Sequence, residues 1–246
     1  MVSEQHTANS QPWCVTTYLP NEREGQILGG TEAHSAVGNT LARTLRTHSE
    51  RQGLVWLIRF EGELRYPRAD GTTGVFYPDV QLIPGVRLGP YEGYDVRAIG
   101  RPPALVVEIT SKKTARKDVG PKLAAYAELG VLEYVTFDPR PRKKLELHGY
   151  RLVGRRYIEI PPAPDGAVWL ETARLWMRAE PAAGPFESPL LRLIRRDGSL
   201  LLHPEEEAAA RYAAEEARIA AERERDAYQA EIDRLRRLLS DRESSP

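Results

Sequence analysis

Apolar residues recur every fourth position at Ala33, Val37, Leu41 and Leu45, which lines one face of a helix and predicts one from about Thr31 to Gln52-Gly53. Leu54-Val-Trp-Leu-Ile-Arg-Phe60 is rich in β-branched and aromatic residues and predicts a strand. Glu61-Gly62 reads as a turn, Leu64-Arg-Tyr66 as the continuation of a hairpin, and Asp70-Gly71 as a second turn. Val75 to Ile83 reads as one strand that carries Asp79, and Pro84 to Gly100, with four glycines and two prolines, as a loop. Ala104 to Thr110 is an almost unbroken apolar run, the pattern of a central strand covered on both faces.

Pro121 fits the first turn of a helix and would damage its interior, so a helix starts there and stops at Gly130. Val131 to Phe137 follows as a strand closed by Asp138-Pro139. Leu145 to Leu147, Tyr150 to Val153 and Tyr157 to Ile160 read as short outer strands. Residues 161–203 hold six prolines and short β-like pieces at Leu190 to Ile194 and Leu200 to Leu202. From Glu205 to about Leu239 the chain is rich in Ala, Glu and Arg without Pro or Gly and reads as one long helix. Tyr228, Ile232, Leu235 and Leu239 take a and d spacing, but the same register upstream meets Arg225, Ala221, Arg218 and Ala214, so any coiled coil is short. The expected organisation is a loosely ordered lead-in over residues 1–20, an α/β domain over 21–203, and a charged helix over 204–246.

Formal net charge is zero across 246 residues, so no global field marks a nucleic-acid or membrane protein. The charge is nevertheless uneven. From Pro204 onward 12 acidic and 8 basic residues leave −4, and the body carries the balancing +4. Basic residues gather at Arg97, Arg101, Lys112, Lys113, Arg116, Lys117 and Lys122, and again at Arg140, Arg142, Lys143 and Lys144. Solvated loops and a phosphate-facing surface account for them equally well. The single Cys14 excludes an internal disulfide and a cysteine-rich zinc site. A polar N-terminus and the lack of a membrane-length apolar run point to the cytoplasm.

Two carboxylates carry the candidate chemistry. Asp79, in Val-Phe-Tyr-Pro-Asp-Val, and Glu108, in Ala-Leu-Val-Val-Glu-Ile-Thr, end adjacent apolar segments, where a bare carboxylate is costly to desolvate without a proton, a partner or a metal. If their strands are neighbours they supply two oxygens to a hard divalent cation, with the Ile109 carbonyl aimed into the same space. Lys122, at the start of the next helix, would orient a water and offset negative charge. The alternatives are a strand-end turn for Asp79, a buried salt bridge for Glu108, and an exposed pair with Asp118 for Lys122. An uncompensated Glu108 would make Glu108→Gln neutral or stabilising. His6, His34, His48, His148 and His203 show no metal-ligand spacing; His34 reads as a surface or capping residue or as one facing the cleft.

Pro78-Asp79, then Pro103-Ala-Leu-Val-Val-Glu108-Ile-Thr-Ser111-Lys-Lys-Thr114, then Asp118, Lys122 and Tyr126, then Gly130-Val-Leu-Glu-Tyr134 and Phe137-Asp138-Pro139 resemble the Uma-two family, restriction-endonuclease-like proteins of the PD-(D/E)xK nuclease superfamily. The likeness is close over 78–139 and looser over about 20–203, and the long charged tail resembles one found on many members. It implies a restriction-endonuclease-like α/β core, with a mixed central sheet, a helix before it and a helix after the Glu strand. It also implies metal-dependent endonuclease chemistry, with Asp79 and Glu108 matching the two motif carboxylates. Thr110 stands where the superfamily has lysine, and Lys122 matches a lysine moved to the helix. An acidic residue near the first helix often completes such sites; Glu22, Glu24 and Glu32 are the candidates.

Two functional classes follow. The first is a Mg2+- or Mn2+-dependent endonuclease on DNA, with Asp79 and Glu108 as metal ligands and Lys122 at the water. The second is a catalytically weak or inactive nuclease-fold protein that acts as a nucleic-acid-binding or protein-interaction module. A homodimer is the expected assembly, and the C-terminal helix offers a surface for a protein partner.

Overall fold

The computed structural model describes residues 14–17, 32–87, 89, 93–110, 120–140, 145–184 and 188–243. Two compact units divide the chain, Met1–Leu201 and Leu202–Pro246. In the first, α1 (Glu32–Arg51) precedes β1 (Trp56–Phe60), β2 (Leu64–Pro67), β3 (Thr73–Phe76), β4 (Val80–Pro84), β5 (Tyr94–Asp95) and the short α2 (Val96–Ile99). Then come β6 (Leu105–Ile109), α3 (Pro121–Leu129), β7 (Glu133–Asp138), β8 (Glu146–Val153) and β9 (Arg156–Glu159). Last are β10 (Val168–Leu170), β11 (Leu175–Glu180), β12 (Leu190–Ile194) and β13 (Leu200–Leu201).

A mixed six-stranded sheet in the order β1-β4-β6-β7-β8-β9 forms the centre. Only β6 and β7 run parallel, and every residue of both is buried. Alternation along β6 divides the core in two. Leu105, Val107 and Ile109 join Val37, Leu41 and Leu45 of α1 and the inner face of a four-stranded sheet, β10-β11-β12-β13. Val106 points the other way, toward Ala125, Tyr126 and Leu129 of α3 and the three-stranded sheet β3-β2-β5. Glu108 shares that second face by the two-residue period of a strand. The result is the mixed α/β core expected, with helices on both faces.

Four local readings change. Leu64 to Pro67 makes no hairpin with β1, because β1 pairs with β4 and β2 pairs with β3 and β5. The single strand read over Val75 to Ile83 is two strands in different sheets, broken at Tyr77-Pro78-Asp79, where Pro78 has no amide to continue a ladder. The loop read over Pro84 to Gly100 contains β5 and α2, the latter capped by the Asp95 carboxylate on the Arg97 and Ala98 amides. Leu145 to Leu147 and Tyr150 to Val153 merge into β8, since Gly149 continues the strand between them. A Cβ at Gly149 would overlap Val168 Cγ1 of β10, so glycine lets the two sheets approach.

Helix α3 has the start and stop read from Pro121 and Gly130. Gly130 adopts φ 87° and its amide bonds to Tyr126 and Ala127 carbonyls, while the Val131 amide returns to Tyr126. Glu128 on this helix clamps the segment at residues 14–17. Its carboxylate accepts from the amide and hydroxyl of both Thr16 and Thr17, and Val15 beside them is buried against the second core. Burial opposes ionisation of Glu128, but these hydrogen bonds outweigh it and hold the carboxyl below its ordinary value.

The second unit is dominated by α4 (Pro204–Glu243), 40 residues and so about 60 Å long. Glu206 accepts the His203 amide at 2.9 Å, and acidic residues fill the first turn, where they suit the helix dipole. Arg218 pairs with Glu215 and Glu222, Arg234 with Glu231 and Arg236 with Asp233, all exposed and each worth little. Tyr228, Ile232 and Leu235 are exposed; the Leu239 side chain lies outside the described residues. No helix among the described residues is long and apolar enough to cross a membrane.

Two outcomes test this packing. Gly149→Ala lowers stability by about 1–3 kcal/mol in chemical denaturation, because Val168 has no room to retreat. The Glu128 clamp is depressed in pKa when folded, so its contribution is complete above the ordinary value of 4.5 and is lost as pH falls through the lower folded value. Thermal melts of wild type and Glu128→Gln therefore differ at neutral pH and converge in acid.

Candidate active site

The register of β4 against β6 builds the site. Val80 pairs with Val107 and Gln81 with Val106, so one further step sets Asp79 across from Glu108. Asp79 stands just outside β4, at the break after Pro78, and its side chain turns onto the end of β6. Oδ2 accepts the Ile109 amide at 2.6 Å. A carboxylate 3% exposed at this point is stabilised by a backbone donor rather than by water.

His34 approaches the same oxygen from α1, with Nε2 3.2 Å from Asp79 Oδ2. It lies three residues before Val37, on the stripe that faces the core, and is buried. Its Nδ1 is buried and has no hydrogen-bond partner among the described residues. Burial disfavours the imidazolium, but the Asp79 hydrogen bond, the charges of Asp79 and Glu61 and the Ile109 backbone outweigh it and raise the pKa above the ordinary histidine value. Glu61 completes the group. Its amide donates to the Asp79 carbonyl at 3.0 Å, and its φ of 47° is a left-handed conformation uncommon for a residue with a side chain. Burial and then the Asp79 charge raise the Glu61 carboxyl, with His34 opposing.

One ligand atom from each of His34, Glu61 and Asp79 lies within 4.8 Å of the other two. Two carboxylates that repel one another beside an imidazole with a spare nitrogen fit a divalent cation. Glu108 is engaged differently. Its Oε1 lies 2.8 Å from Lys122 Nζ and accepts the Tyr126 hydroxyl at 2.9 Å, all three residues being buried. Lys122 and Tyr126 sit one turn apart on α3, so a single helix face delivers both.

The four residues marked in the sequence thus fall at one end of the central sheet, in two linked groups: Asp79 and Ile109 with His34 and Glu61, and Glu108 with Lys122. Glu22, Glu24 and Asp118 lie outside the described residues, as does the side chain of Glu32. Of the two basic groups, Arg97, Arg101, Lys122 and Arg140 are described. Glu61 was hidden by its turn reading, since Glu-Gly between strands signals a reversal and nothing more. His34 carried a signal in its i,i+3 spacing to Val37, which places it on the buried stripe.

Residues 21–178 match the model of the Uma2 family, described as "Putative restriction endonuclease". Among solved structures, a protein from Anabaena variabilis ATCC 29413 titled as a "putative nuclease belonging to DUF820" is 14% identical, over 58% of this chain and 75% of that one, with a TM-score of 0.43. No curated protein matches the chain. The family match spans well over half of the 246 residues and takes in every residue of the site, and on that match the chain belongs to the Uma2 family of restriction-endonuclease-like proteins.

Proposed function

We propose that this protein is a divalent-metal-dependent endonuclease that hydrolyses DNA phosphodiester bonds. The observation that supports it most is the juxtaposition of Asp79, one register step from Val80–Val107, with a Glu108 that carries Lys122. Asp79 and Glu108 are the metal ligands, with the Ile109 main chain beside them, and His34 and Glu61 extend the donor set. Mg2+ suits the oxygens, and Mn2+ also accepts the imidazole. Such an ion, when bound, polarises the phosphate and lowers the pKa of a water.

The chain's own groups do the rest. The Ile109 amide fixes Asp79, leaving Oδ1 for the cation. Lys122, presented by α3 beside Glu108, orients the attacking water and offsets negative charge on the phosphate. Tyr126 holds the Glu108 carboxylate from below. The protein works in the cytoplasm on this reading, with residues 21–203 as the catalytic domain and 204–246 as an assembly helix.

A second reading rests on the Glu108–Lys122–Tyr126 group, which satisfies the carboxylate without any metal. A nuclease-fold protein that binds nucleic acid or a protein without cutting would keep such a group as a structural pair. Plasmid nicking in Mg2+, Mn2+ or EDTA separates the two. The endonuclease nicks in either metal, stops in EDTA, is silent as Asp79→Asn, and slows by about 10²–10⁴-fold as Lys122→Met. Metal-independent silence of the wild type, with DNA retained in a gel shift, selects the binder.

The buried pair also changes the stability expected of Glu108→Gln. The idea that Glu108 lacks compensation does not hold, because Lys122 and Tyr126 supply it; the substitution instead strands a buried ammonium and costs roughly 3 kcal/mol in urea unfolding. Glu108→Gln with Lys122→Met recovers most of that loss. Assembly is tested separately. The seam Tyr228, Ile232, Leu235 and Leu239 is short, so a dimer draws on the body too. Truncation after His203 leaves metal binding unchanged and weakens or removes self-association in sedimentation; identical association of both forms removes the helix from the dimer.

A further inference from the structure

Row by row, the central sheet carries the site's polar face outward to β8. Glu108 pairs with Thr136 of β7, and Thr136 pairs with His148 of β8. Directly paired residues point to the same side of a sheet, so all three share one face, the one that holds α3. The row below on that face is Val106, Tyr134 and Tyr150, with Tyr134 and Tyr150 packed at 6.2 Å between ring centres. The Glu108 row marks the change from apolar to polar side chains on that face. Along it, exposure rises from the buried Glu108 and Thr136 to a His148 side chain that is 45% exposed.

His148 is held in place. Its Nδ1 lies 2.9 Å from Glu159 Oε1, a carboxylate on β9 that fixes the ring and leaves Nε2 directed away from that contact. At the end of β7, the part-exposed Arg140 makes a bidentate contact with Asp138 and neutralises that carboxylate. Two strand spacings separate Glu108 from His148, roughly 9.5 Å between backbones. That is too far for the reacting phosphate and suits a phosphate further along the same strand.

We infer that the substrate strand leaves the metal centre across β7 and β8, and that His148 is a positioning residue which donates from Nε2 to a flanking phosphate. The inference rests on the nuclease reading for its substrate. Glu159 serves the contact by orientation, since a ring bonded at Nδ1 can present only Nε2. The nearby acids are accounted for: Asp138 is engaged by Arg140, Asp165 by Arg178, and Glu146 has interactions of its own.

The test is binding of a labelled DNA duplex in Ca2+ over roughly 50–200 mM salt. Wild type, His148→Gln and His148→Arg are compared, with thermal melts alongside. The expected result is a three- to tenfold weaker Kd for His148→Gln, about 0.7–1.4 kcal/mol, with the slope of log K against log salt reduced by about 0.9 for one lost phosphate contact. His148→Arg restores both affinity and slope, and in cleavage the glutamine variant raises KM and leaves kcat within about twofold. Unchanged affinity and slope in His148→Gln overturns the inference and leaves His148–Glu159 a cross-strand pair of β8 and β9, which a lowered Tm would record. Weaker binding with an unchanged slope overturns it also. Wild-type protein that neither binds nor cuts DNA sinks the nuclease reading itself, and this inference with it.

Discussion

The Ile109 amide donates to Asp79 Oδ2 at 2.6 Å, and that bond ties the start of β4 to the end of β6. Without it a carboxylate buried at the break between two sheets would have, among the described residues, His34 alone to offset its desolvation. The break is itself a consequence of sequence. Pro78 cannot donate to a ladder, so β3 ends in one sheet, β4 begins in another, and the residue between them is left to point along the strand ends. The first turn of α1, the Glu61 turn and the N-terminus of α3 all converge on the same end of the central sheet.

Other buried carboxylates show what a purely structural role looks like here. Glu133, at the opposite end of β7, accepts Arg151 at 3.0 Å and the Glu171 and Thr172 amides at 2.8 Å, and joins the central sheet to the β10–β11 turn. Asp138 is enclosed by the fork of Arg140. Each is satisfied by donors from its own neighbourhood. The Asp79 group differs: a raised Glu61 carboxyl, a raised His34 and a ring nitrogen without a partner among the described residues lie together, and a cation would relieve the carboxylate repulsion. The Glu108 group stands between the two kinds, since Lys122 satisfies it now and would serve chemistry in the presence of metal and water.

Much of this was legible from periodicity. The α1 stripe, the unbroken run of β6 and the Pro121-to-Gly130 limits of α3 are set by local chemistry that tertiary packing did not override. Pairing was less legible. Nothing local says that β2 deserts β1 for β3 and β5, or that the proline-rich stretch after Pro161 folds into a sheet covering α1, because these choices depend on contacts distant in sequence. Asp79, Glu108 and Lys122, which the fold brings to one end of the central sheet, could be marked from their order along the chain. Glu61 could not, since a turn glutamate acquires meaning only when the fold brings its ligand atom within 4.8 Å of those of Asp79 and His34; His34 was open between a surface cap and a residue facing the cleft.

The most direct test of the central claim is an anomalous-scattering map from crystals soaked in Mn2+. The account predicts a peak within roughly 2.0–2.6 Å of an Asp79 carboxylate oxygen, on the side shared with Glu108 or with His34 and Glu61. Density at a site without Asp79, or crystals that take up no ion while the fold is intact, would contradict it.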